Sequence, residues 1–169
     1  MFCTKKMFKW RCALGLLVCL AVVMMAANVG AAQKMPDFSE KNITSDGLVD
    51  SKDFAGKVVL VNFWATWCPP CRKEIPSLIK IQDEYKDRGF SVIGISMDEG
   101  GRKLVSKFIK KLEVNYPVFI GKAKTARGFG GVMGIPVSFL VDREGNLVKR
   151  LDGYISEKVF NRELVKLLK

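Results

Sequence analysis

The stretch that most constrains this chain is Val58-Val59-Leu60-Val61-Asn62-Phe63-Trp64. A strand with one wet face alternates apolar and polar residues. This run is apolar on both sides, so it predicts a strand buried on both faces, inside a sheet that is covered above and below. Cys68-Pro69-Pro70-Cys71 follows at once. From Pro69 onward, Ile75, Leu78, Ile79 and the segment Ile81 to Tyr85 form an apolar stripe at helical spacing that Gly89 ends. Pro76 lies inside this helix and predicts a kink.

The remaining elements follow the same logic. Phe90 to Ser96 reads as a second buried strand. Arg102 to Leu112 is an amphipathic helix, with Leu104, Val105, Phe108, Ile109 and Leu112 expected inward and Lys103, Lys107, Lys110 and Lys111 toward water. Pro117 to Ile120 is a short strand, and the glycine-rich residues 122–133 are helix or loop. Pro136 to Val141 and Leu147 to Leu151 are strands joined by the turn Arg143-Glu144-Gly145-Asn146. Ser156 is expected to cap a last helix that runs to about Leu168. Upstream, Asp46-Gly47 between Ile43 and Leu48-Val49 predicts a short N-terminal hairpin. The order β-α-β-α-β, then a hairpin, then α, argues for an α/β fold: a mixed central sheet with helices on both faces.

Residues 1–32 stand apart from that pattern. Lys5, Lys6, Lys9 and Arg11 form a basic start, an apolar run extends from Cys12 to Ala27, and Gly30-Ala31-Ala32 supplies small residues. This is the layout of a secretory signal, with cleavage after Ala31 or Ala32. A retained membrane anchor is the other reading, because the apolar run is borderline in length for spanning a bilayer. Either reading implies export, and residues 33–169 form the folded domain. Of the five cysteines, Cys3, Cys12 and Cys19 then belong to the leader, and only Cys68 and Cys71 to the domain. The domain works where disulfides persist, yet has no distant pair to staple its core.

Composition excludes several chemistries. There is no histidine, hence no histidine base, no triad that uses one and no histidine-ligated metal. The net charge is +11; without the four cations of residues 1–32 it is +7, and the basic residues are scattered. That distribution speaks against a nucleic-acid partner and for a solvated surface.

The two cysteines could be redox partners, metal ligands or plain structure. Cys68 is placed at a strand-to-helix junction, where unpaired N–H groups and the helix dipole favour an anion. Its pKa is expected to be lowered, which makes it the better nucleophile. Cys71, one turn on along the same helix face, is close enough for a disulfide and is expected to be less exposed. Cys68 would attack a substrate disulfide, and Cys71 would then attack Cys68 and release the reduced product. Pro69 and Pro70 occupy first-turn positions, where a missing N–H costs nothing. They fix the turn between the sulfurs, but remove two donors that could have stabilised a thiolate. Both effects point to a moderate or reducing dithiol.

The stretches VVLVNFWATWCPPCRKEIP and GIPVSFLVDREGNLV, in this element order, resemble the thioredoxin superfamily, and within it the exported TlpA/ResA-like thiol-disulfide oxidoreductases. The resemblance extends from Pro36-Asp37-Phe38 to the last helix. It implies a thioredoxin-like three-layer sandwich with an N-terminal β-hairpin extension, and a redox disulfide between Cys68 and Cys71. It implies that Pro136 is the family's cis-proline, with the backbone of Ile135 free to pair with a substrate strand; otherwise Pro136 simply opens an edge strand. Trp67, Pro69 and Pro70 would contact substrate. Trp64 would frame the site with Trp67 or pack in the core. Thioredoxins proper carry a buried aspartate where this chain has Asn62, which cannot accept a proton. Glu74, three residues after Cys71, matches a glutamate of the TlpA/ResA-like branch and is the candidate acid/base; otherwise it is a solvated glutamate offset by Arg72 or Lys73. The family implies no cofactor beyond the dithiol, disulfide-containing protein substrates, a membrane electron donor, a monomer and a periplasmic location. Apocytochrome c maturation is one task of that branch. The alternatives are a copper-handling protein that uses Cys68, Cys71 and Met133, a thiol peroxidase of the same fold, and a binding module in which the dithiol is incidental.

Overall fold

The computed structural model describes residues 32–169, so the expected leader lies outside the described residues apart from Ala32. Strands β3 (Val58–Trp64) and β4 (Phe90–Ser96) form the centre of a five-stranded sheet and are buried along their whole length. The sheet order is β5-β4-β3-β6-β7, with β5 spanning Val118–Ile120, β6 Val137–Val141 and β7 Leu147–Asp152. β3, β4 and β5 run parallel, and β6 and β7 are antiparallel to their neighbours.

The period-two alternation of β3 divides the core. Val58, Leu60 and Trp64 face one cluster, which helices α1 (Pro69–Tyr85), α2 (Gly101–Lys111) and α4 (Glu157–Leu167) complete. Val59, Val61 and Phe63 face the other. That side is covered by the short α3 (Ala123–Gly128), by Phe129, and by Phe38, Val49 and Phe54 of the N-terminal region. Each large apolar side chain enclosed in this way contributes about 1.5–3 kcal/mol.

Local expectations hold with some corrections. The N-terminal hairpin pairs β1 (Ser39–Lys41) with β2 (Leu48–Asp50), so its connection is residues 42–47 and not a tight Asp46-Gly47 turn. Ile43 is drawn into the core, where its N–H donates to the Val118 carbonyl (2.7 Å), and Asn42 staples the loop through Ser45 and Thr44. The turn at 143–146 is as expected: Gly145 takes the left-handed φ of 80°, and Asn146 N–H donates to the Asp142 carboxylate. Helix α1 passes through Pro76 as one element, so the expected kink does not divide it. Ser156 occupies the N-cap of α4, but its side chain makes no capping bond; its carbonyl instead accepts from Val159 and Phe160. In α2 only Val105 and Ile109 are buried, and Leu104, expected inward, is 46% exposed.

Candidate active site

The chain leaves β3 at Trp64 and turns through Ala65-Thr66-Trp67 into α1. The buried carboxylate of Asp98, just past the end of β4, holds this turn. Thr66 N–H donates to Asp98 Oδ2 (3.0 Å), and the Thr66 and Ser96 hydroxyls also reach the carboxylate. No sequence motif marked Asp98, because its role depends on the parallel pairing that sets the end of β4 beside the end of β3.

Cys68 is the N-cap of α1, with the extended φ and ψ of −87° and 108° that such a residue takes. Pro69 and Pro70 have no N–H, so the first backbone donor of the helix belongs to Cys71. It donates to Cys68 Sγ at 3.3 Å. The sulfurs of Cys68 and Cys71 are joined in a disulfide, with the Cα atoms 5.3 Å apart. Both cysteine residues are buried, so the expected contrast in exposure is slight. Pro69 and Pro70 are exposed, and Trp67 stands at the rim with 65% of its surface open. Trp64 is a core residue that packs on Phe108 with ring centroids 5.6 Å apart. Its Nε1–H has no partner among the described residues.

The loop before β6 closes the site from the other side. The Ile135–Pro136 peptide is cis, and the Ile135 carbonyl oxygen lies 3.7 Å from Cys68 Sγ. Pro136 is buried and Ile135 half-buried. Met133, two residues earlier, is 97% exposed.

Glu74 is fully enclosed, which removes the reading of a solvated helix glutamate. Its carboxylate accepts from Asn62 Nδ2 (2.9 Å) and from the Ile155 N–H (2.8 Å). Asn62 Nδ2 also donates to Ser138 Oγ at 2.9 Å, from the position directly opposite on β6. Burial pushes the Glu74 pKa up to about 7, although the bonds from Ile155 and Asn62 partly oppose the rise. Nearby Tyr116 is likewise pushed up, by burial and then by the Glu74 charge. Ile155 and Ser138 had no sequence signal of their own. Their places follow from the β3–β6 register and from the packing of the segment that leads into α4.

The sequence model of the Redoxin family matches residues 30–164. The chain is 34% identical over 119 residues to the thiol-disulfide oxidoreductase ResA of Bacillus thuringiensis subsp. konkukian, covering 70% of this chain and 68% of that protein. It is 35% identical over 136 residues to the thioredoxin-like protein YneN of Bacillus subtilis, covering 78% and 77% respectively. A thiol:disulfide interchange protein of the thioredoxin family from Chlorobium tepidum TLS superposes with a TM-score of 0.76 at 34% identity, covering 83% of this chain and 99% of that one. The chain thus belongs to the Redoxin family of the thioredoxin superfamily and is a ResA-like thiol-disulfide oxidoreductase that acts on disulfide-containing substrates.

Proposed function

We propose that this protein is an exported reductant of protein disulfides, with Cys68 as nucleophile, Cys71 as resolving thiol and Glu74 as the acid/base. The observation that carries the reading is the seating of Cys68 Sγ at the N-cap of α1, where the Cys71 N–H donates to it. A thiolate there gains a hydrogen bond and the favourable end of the helix dipole.

The exchange balances in two steps. The Cys68 thiolate attacks one sulfur of the substrate disulfide; a Cys68–substrate bond forms, and the other substrate sulfur leaves as a thiolate. Cys71 then loses its proton and attacks Cys68. The Cys68–Cys71 bond forms, and the second substrate thiol is released reduced. Glu74, one helical turn from Cys71 and buried with a pKa near 7, is suited to take and return that proton near neutral pH. The cis Ile135–Pro136 segment and Trp67 flank Cys68 and would hold an extended substrate strand. The oxidised pair needs two electrons from a donor to act again, and a membrane dithiol donor meets that need.

Export rests on the basic, apolar and small-residue sequence of residues 1–32, either cleaved or kept as an anchor, with a periplasmic domain. Residues 33–169 would work there as a monomer without a cofactor. The resemblance to the TlpA/ResA-like branch makes the disulfide of oxidised apocytochrome c a substrate to test. The deciding experiment is to equilibrate the Cys68–Cys71 pair with a thiol redox buffer. A potential near that of thioredoxin, about −270 mV, supports a reductant, whereas one near about −120 mV makes the protein a disulfide donor. Cys71→Ser should trap a mixed disulfide on Cys68; release of product without trapping would contradict the assigned roles.

A further inference from the structure

The apolar stripe of α2 is wider than the core uses. Leu104 is exposed, and Phe108 and Leu112 are only half-buried. These three residues form the floor of a groove between α1 and α2. Its walls carry Arg72, Lys73 and Lys111, and no acidic residue lines it. Among the described residues none of these three cations makes a salt bridge. Lys73 rests over the Tyr154 ring at 4.9 Å, an aromatic partner that supplies no anion. The head of the groove is Thr66 and Pro69, the residues on either side of Trp67-Cys68. The groove therefore adjoins the turn that carries Cys68.

An apolar floor between three unpaired cations lacks an apolar and anionic counterpart. We propose that the groove binds an extended segment of the substrate protein next to the cysteine that pairs with Cys68. An apolar side chain would lie on Leu104, Phe108 and Leu112, with carboxylates against Arg72, Lys73 and Lys111. The inference rests on the redox reading of Cys68 and extends it to the choice of substrate. The groove discriminates by charge in the segment flanking the substrate disulfide.

The test uses the reduced protein and three disulfides. Two are disulfide-linked peptides whose cysteine is flanked by Asp-Leu-Glu or by Lys-Leu-Lys, and the third is the small uncharged hydroxyethyl disulfide. At low salt the acidic peptide should be reduced about tenfold faster than the basic one, since each exposed pair adds only a modest factor. The ratio should shrink at about 0.5 M salt, where the screening length falls to a few ångströms. Lys111→Glu should cut the ratio severalfold, and the ratio is read within each variant, so any general change in rate cancels. Equal rates for the two peptides, or a preference that Lys111→Glu leaves intact, would overturn the groove while leaving the oxidoreductase reading in place. Failure to reduce even the uncharged disulfide would overturn both. Tight binding of the protein to phosphatidylglycerol vesicles, with no peptide preference, would assign the cations to a membrane surface instead and sink the proposal.

Discussion

Replacing Glu74 with glutamine tests the buried carboxyl at the centre of this site. In the folded protein its pKa lies near 7, against an ordinary value of 4.5. Between these values the folded protein keeps a proton that the unfolded chain has released. The stabilisation from the protonated carboxyl is thus fully present below about 4.5, is lost as pH rises through about 7, and is level beyond. At about 1.4 kcal/mol per pH unit, the interval from 4.5 to about 7 corresponds to about 3 kcal/mol. Glu74→Gln keeps the shape and an oxygen to accept the Ile155 N–H, but it cannot ionise. Urea unfolding of both proteins at pH 4.5 and pH 8 reads the effect, with the disulfide kept intact so that neither cysteine titrates. Other ionisable groups contribute equally to both proteins and cancel in the comparison. The wild type should lose about 3 kcal/mol more than the variant between the two pH values. Parallel pH profiles would show that Glu74 titrates as an ordinary carboxyl, and its assignment as acid/base near neutral pH would lose its physical ground.

Two further changes probe the frame of the site. Asp98→Ala leaves the Thr66 N–H and the Ser96 hydroxyl without their acceptor, and should destabilise by about 1–3 kcal/mol in urea unfolding. An unchanged midpoint would mean that the turn into α1 does not depend on Asp98. Gly94→Ala would set a Cβ 3.1 Å from both Trp64 Nε1 and Val118 Cγ2, and should cost about 1–3 kcal/mol with a lower melting temperature. A neutral result would show that the core around Trp64 has room to yield.

The legible part of the site was the part carried by local spacing. Cys68, Cys71 and Glu74 lie three residues apart on one helix, so their common face followed from helical geometry alone. The meaning of Asn62 was half legible: the residue breaks an apolar run, but its link to Glu74 and Ser138 needs β3 and β6 in register. Leu104 was misplaced because a stripe at helical spacing shows which residues share a face, not how much of that face a neighbour covers. The same limit hid Asp98, which acts across a strand pair on a residue 32 positions earlier.

By itself, then, the sequence determined the order of strands and helices, the doubly buried centre of the sheet and the position of the dithiol at a helix start. Each depends on periodicity or on the chemistry of neighbouring residues. Only the tertiary structure decided that Glu74 is sealed from water, that Asp98 holds the active-site turn and that α2 leaves an apolar edge exposed beside the disulfide. Desolvation and long-range hydrogen bonding arise from segments brought together by the sheet, and no local pattern records which segments those are.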